Sequence, residues 1–216
     1  MKKTDYYIFL TSSQKESPII KNDLDEGPQS WEFLENESLL DEFPEVGALH
    51  FSDENEHKKL YDFIHNRFRV QIVSKKVKAI MLEHGLDSSQ VEYLPVTIKD
   101  QIGDVVSSDY FMLNYINAQP IIDMENSRYE VNDFDESQIF TLQHMALDLI
   151  DVDEKAKMFH PLTYKNITVI ESSLLNAFQE AGVTGFWTIP AQGWNGMILP
   201  YDKAYIKDLM SKHLIS

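Results

Sequence analysis

The chain has 216 residues, 43% hydrophobic and 25% charged, which suits one large or two small globular domains with a sizeable core. It contains no cysteine, which excludes disulfides, thiolate nucleophiles and cysteine-held zinc or iron–sulfur centres. Nineteen Lys and Arg stand against 35 Asp and Glu, a formal net charge of −16. Such a chain would have to raise a basic face for nucleic acid against its own field, so its charge suits either plain solubility or a basic protein partner.

At the N-terminus, "YYIFLTS" reads as a first strand. Its apolar run is too short for a signal peptide and Asp5 interrupts the approach to it, which points to a cytoplasmic protein. No window nears the roughly 18 apolar residues of a membrane span. Residues 17–34 read as loop and turn around Gly27-Pro28. The next stretch is acidic, with Glu35, Glu37, Asp41, Glu42, Glu45, Asp53, Glu54 and Glu56, and Pro44 and Gly47 limit it to short elements. Leu60, Phe63, Ile64 and Phe68 have helical spacing, which predicts a short helix over 57–68.

"RVQIV" is a strand. Ser74 is placed to cap a helix whose Val77, Ile80, Met81 and His84 share a face, and Gly85 stands where a left-handed C-terminal residue is wanted. "QVEYLPVTI" and the aromatic "DYFMLNYIN" are strands either side of the turn region "KDQIGDVV". "IIDMENSRYEV" extends and turns, and "QIFTLQHMALDLID" fits both helix and strand patterns, with strands favoured, "MALDLID" included. "DVDEKAKMFHP" is a polar connection and "YKNITVI" a strand.

Val169–Trp187 then echoes Ile72–Pro95. An offset of 97 maps Val77 onto Leu174, Met81 onto Phe178, Gly85 onto Gly182 and Leu86 onto Val183. Each copy predicts strand, helix, strand, with the helix covering the apolar face of the strands it joins. Duplication and convergence on a common unit both account for the echo. "YDKAYIKDLMSKHLI" closes the chain as an amphipathic helix.

Enzymatic signatures are missing. There is no phosphate-cradling glycine loop, nucleophile elbow or H-E-x-x-H. His144 and Asp148 are four apart, a spacing found more often in surface hydrogen bonds than in catalytic dyads. The acidic loops starting at Asp23 and Asp133 lack the terminal glutamate of a calcium loop, with Leu34 and His144 in its place. Trp194, in the loop "QGWNGM", is either an interface anchor or a plug for its own core.

The ordered set of motifs resembles the immunity protein 11 family of bacterial polymorphic toxin loci. It is carried by Val73-Ser74, by Tyr110 to Asn114, by Asp123 with Ser127, and by the "AGVTGF" turn holding Gly182 and Gly185. Glu171 stands where the family usually has serine, and Ser172 can still cap. The resemblance covers about Leu60 to Pro190. It implies a cytoplasmic antitoxin that binds a cognate effector, with no catalytic residues and no cofactor.

The expectation is therefore an α+β protein built on a mixed sheet, with two strand–helix–strand units and a C-terminal helix. It is a single domain, 1–216, with a variable acidic part at 1–59, a family-like core at 60–190, and a loop and helix at 191–216. Its partner is a toxin with a basic surface, not nucleic acid or membrane. Candidate contacts are Trp194 and the acidic loop at Asp53, Glu54 and Glu56. Ser74, Gly85, Asp123, Ser127, Gly182 and Gly185 are structural, with Asp123 and Ser127 fixing a turn. The rival readings are a small-metabolite enzyme using His144, Asp148 and His160, and a structural subunit of a larger assembly.

Overall fold

The computed structural model describes residues 5–12, 17–20, 24–52 and 59–196. The expected C-terminal helix and the loop carrying Asp53, Glu54 and Glu56 lie outside the described residues. Eleven strands and two α-helices are found among those described, an α+β fold as the sequence predicts. The strands make three sheets rather than one, and the chain divides into two compact units.

One unit comprises residues 10–117 and 174–187. Its five strands are β2 (Gly47–His50), β3 (Phe63–Ile64), β4 (Ile72–Ser74), β5 (Val91–Lys99) and β6 (Val105–Tyr115), in the order β2-β5-β6-β4-β3. The β2–β5 pair is parallel and the rest are antiparallel, which makes this the mixed sheet. Alternate residues of β5, such as Leu94, Val96 and Ile98, are buried, giving the period-two pattern of a sheet with one face on a core. That core also takes Ile20, Phe33, Leu39, Leu49, Phe51, Ile64 and Ile72.

The helix expected over 57–68 is not formed among its described residues, 59–68, which are irregular apart from the two-residue strand β3 and an isolated bridge at Asn66. Phe63 pairs with Val73 and Ile64 with Ile72, and both side chains are fully buried. Arg69, at φ +63°, turns the chain back toward β4. The apolar spacing imitates a helix, but two adjacent residues facing opposite sides of a strand account for it equally well.

The other unit comprises residues 1–9, 118–173 and 188–216. Its four-stranded sheet has the order β11-β1-β10-β9, with β1 (Tyr6–Thr11), β9 (Met158–Phe159), β10 (Thr168–Glu171) and β11 (Phe186–Pro190). A separate hairpin pairs β7 (Arg128–Asn132) with β8 (Asp135–His144). Two expectations are corrected here. The segment expected to be a polar connection contains β9, whose Met158 and Phe159 are both 1% exposed. "MALDLID" is not a strand but makes one isolated bridge, Leu147 to Ile122, because its backbone bonds go to turns and to the 192–194 loop.

Both echoed segments form strand, helix, strand. Helix α1 (Lys75–Glu83) joins β4 to β5, and α2 (Ser172–Glu180) joins β10 to β11. In each, a strand from elsewhere in the chain lies between the two: β6 separates β4 from β5, and β1 separates β10 from β11. The helix ends agree in detail. Leu86 N–H donates to Met81 O and Gly85 N–H to Leu82 O, while Val183 N–H donates to Phe178 O and Gly182 N–H to Gln179 O. Both glycines are left-handed, at φ +84° and +60°. This is the same pair of capping bonds at the same offset of 97. The mapped apolar pairs Val77/Leu174 and Met81/Phe178 are all fully buried.

Candidate functional site

Ser74 caps α1 as expected, its Oγ accepting from Val77 N–H at 3.4 Å. The same hydroxyl donates to Asp62 Oδ1 at 2.8 Å. Asp62 Oδ2 accepts from Thr184 N–H and Thr184 Oγ1, both at 3.0 Å, and lies 3.5 Å from Lys76 Nζ. Backbone bonds reinforce the junction, Ser74 N–H to Asp62 O at 2.8 Å and Phe63 N–H to Thr184 O at 3.0 Å. One carboxylate therefore ties the cap of α1 to the turn after α2. Phe63, Phe178 and Phe186 meet edge to face beside it, with centroids 5.7 to 6.0 Å apart.

Sequence reasoning missed Asp62, which belongs to no motif and whose partner Thr184 is 122 residues away. Its side chain is 16% exposed, so its removal leaves the Ser74 hydroxyl and Thr184 amide short of an acceptor. Asp62→Ala is expected to lower unfolding free energy by about 2–3 kcal/mol, read by urea unfolding. A loss below about 0.5 kcal/mol would show that the junction is held without it.

Asp123 and Ser127 fix a turn. Asp123 Oδ1 accepts from the backbone N–H of Glu125 and Asn126, both at 3.0 Å, and Oδ2 from Asn126 Nδ2 at 2.7 Å. These bonds, led by that from the Asn126 side chain, hold the carboxyl below its ordinary range. Ser127 Oγ accepts from Ala146 N–H at 2.9 Å. Glu171, which stands at the offset of Ser74, is held by Ser172 and Ser173 and lies 3.6 Å from Lys157 Nζ. Burial pushes its carboxyl up, and the bonds from Ser173 and the Lys157 charge outweigh that and bring it below its ordinary range.

Trp194 is fully buried, which corrects the reading of its indole as an exposed anchor. Its carbonyl accepts from Met145 N–H at 2.8 Å and Gly193 N–H donates to Met145 O at 2.7 Å, so the loop is stitched to its own unit. Gly196 packs against Leu142 so closely that a Cβ there would sit 3.0 Å from the Leu142 carbonyl carbon. The composition of the loop gave no sign of this packing.

The residues of the rival enzyme reading do not form an acid–base pair. Asp148 Oδ1 accepts from Ile150 N–H at 3.0 Å, which closes a local turn. His160 is 7% exposed, and burial, with a smaller contribution from the Lys165 charge, pushes its pKa down to about 4. Among the described residues, no three His, Asp or Glu side chains are grouped to hold a metal ion.

The acidic segment from residue 25 onward is moored from below. Phe33 and Leu39 enter the core, at 2% and 4% exposure. Glu92, 4% exposed on β5, accepts from Ser38 Oγ, from Leu39 N–H at 3.0 Å and from Asn114 Nδ2 at 2.8 Å. Asn114 Nδ2 also donates to Glu37 O at 2.7 Å, and Asn36 Nδ2 to Tyr115 O at 2.8 Å. Three donors on a buried carboxylate offset its desolvation, and the segment gains a fixed shape. Glu92 and Asn114 fall inside alternating strands, and nothing in their spacing marked them.

A family model described as "Immunity protein family (Imm11)" matches residues 9–193. No curated protein matches the chain. Among the described residues, no helix is long and apolar enough to cross a membrane.

Proposed function

The chain belongs to the Imm11 immunity protein family, and from that membership we propose that it binds a cognate toxin and neutralises it. The match over residues 9–193 carries this reading. The mechanism we infer is non-enzymatic: a preformed surface covers the toxin's active site or substrate channel, in the cytoplasm of the cell under protection. A tight inhibitor of this kind needs about 1,600 Å² of interface with a few buried anchors. The net charge of −16 favours a basic toxin surface and speeds capture. The acidic loop at Asp53, Glu54 and Glu56 belongs to that reading as a contributor of charge.

The test is co-expression with the toxin of the same locus, taken as the product of the adjacent reading frame. Cells making the toxin alone stop growing, and cells making both grow at the uninduced rate. The purified pair elutes together by size exclusion. Continued growth arrest with no complex between the purified pair would sink the proposal.

A further inference from the structure

The charge of this chain is concentrated in one place. Residues 22–57 hold 12 carboxylates and no Lys or Arg, whereas the other 180 residues hold 23 carboxylates against 19 Lys and Arg. Three-quarters of the net charge therefore comes from a sixth of the sequence. The described part of this segment, 24–52, leaves Asp25, Glu26, Glu35, Glu37, Asp41, Glu42 and Glu45 exposed.

The same segment exposes large apolar side chains. Trp31 is 60% exposed, Leu40 61% and Val46 52%. Single exposed apolar residues are ordinary. An indole and two aliphatic side chains within sixteen residues, among six carboxylates and no cations, have the composition of an interface with apolar anchors and a polar rim.

The segment is also rigid where it matters. The mooring to Glu92, Asn114 and Tyr115 fixes residues 36–39, and Phe33 is buried between Trp31 and that mooring in sequence. Glu32 Oε2 accepts from Gln29 N–H at 2.6 Å, and the 3₁₀ turn Glu32–Leu34 that follows is closed by Leu34 N–H to Trp31 O and Glu35 N–H to Glu32 O, both at 3.0 Å. A partner meeting this surface pays little to order it, which is what separates a tight interface from a weak one of equal area.

We propose that the segment from Asp25 to Val46 is the docking surface for a protein with a basic face. Trp31 and Leu40 are its apolar anchors, and Asp41, Glu42 and Glu45 are its steering charges. This rests on the proposed toxin-binding function and names the surface that performs it. It moves the aromatic anchor from Trp194, which is buried, to Trp31.

The experiment measures binding of the purified product of the adjacent reading frame to the full chain by surface plasmon resonance at two salt concentrations. Trp31→Ala and Leu40→Ala each weaken binding, Trp31→Ala by at least about 30-fold, mainly through faster dissociation. The double variant Asp41→Lys, Glu45→Lys slows association about tenfold at low salt, and the deficit shrinks at high salt. Two controls leave binding within twofold: Glu83→Lys with Glu180→Lys, the same charge change at exposed helix ends, and Phe134→Ala, a fully exposed aromatic in the other unit. Unfolding midpoints confirm that each variant is folded.

If the unmodified chain binds and the Trp31, Leu40 and charge variants bind equally well, this inference falls and the proposed function stands. Weakening by Phe134→Ala in place of Trp31→Ala has the same meaning. If the unmodified chain itself does not bind, the proposed function falls and takes the inference with it.

Discussion

Gly185→Ala lowers the unfolding free energy by roughly 3–5 kcal/mol, while Gly182→Ala, three residues earlier, costs only about 1 kcal/mol. Both glycines are left-handed, at φ +90° and +60°, so both substitutions carry backbone strain. They differ in what a Cβ would meet. At Gly182 there is nothing within 4 Å. At Gly185 a Cβ would be driven into the Phe63 carbonyl, 3.0 Å from its carbon and closer still to its oxygen. The obstacle is backbone of β3, which is held on both sides by pairing with β4 and by the Phe63 N–H to Thr184 O bond, so little can yield. Gly185 O also accepts from Ser12 N–H at 2.9 Å, which ties the turn to a further segment. Movement at Gly185 therefore disturbs the Asp62 junction and the Phe63–Phe178–Phe186 cluster together. For a chain of this size the loss lowers the midpoint of thermal unfolding by about 10 °C. Equal, small effects at the two glycines would mean that the turn does not approach β3 as described.

The sequence was readable where structure is set locally. A helical apolar stripe and a glycine at the end recur at one offset, and both copies fold with the same C-terminal capping bonds, although Glu171 stands at the place of the capping Ser74. Those signals are short-range and depend on a few side chains. The strand inserted between the two strands of each unit was not readable: β6 folds back on β5 across a short turn and goes on to pair with β4, and β1 takes its partner β10 from far along the chain. Short apolar pairs misled in both directions. Phe63-Ile64 matched a helical spacing and Met158-Phe159 was hidden in a polar run, and each is a two-residue strand defined by its neighbours. The polar groups that hold the turn after α2 and the candidate surface, Asp62 and Glu92 respectively, work through partners 122 and about 50 residues distant. Charge density in the acidic segment was plain from composition. That Trp31 stays outside it and Trp194 goes inside was not, since both stand in loops and only packing separates them.

His160 gives the second large effect, a loss of stability of about 3 kcal/mol as pH falls from 7 to 4. Its pKa in the folded chain is about 4, against 6.5 for the free side chain, because the ring is buried and Lys165 adds positive charge nearby. Between those two values the unfolded chain takes up a proton that the folded chain refuses. The unfolded state binds more protons there, so stability rises with pH across the window and falls as the solution is acidified through it. Below about pH 4 both forms are protonated and the contribution levels off. Asp123, Asp135 and Glu171, whose carboxyls lie below their ordinary range, lose their stabilising charge only at lower pH, so the two contributions occupy different windows. His160→Gln removes the histidine from the balance whatever its own cost at pH 7. Urea unfolding of both proteins at pH 7 and pH 4.5 should show the variant gaining about 2–3 kcal/mol on the parent across that interval. A gap that does not change with pH would mean that the imidazole is hydrated and not buried.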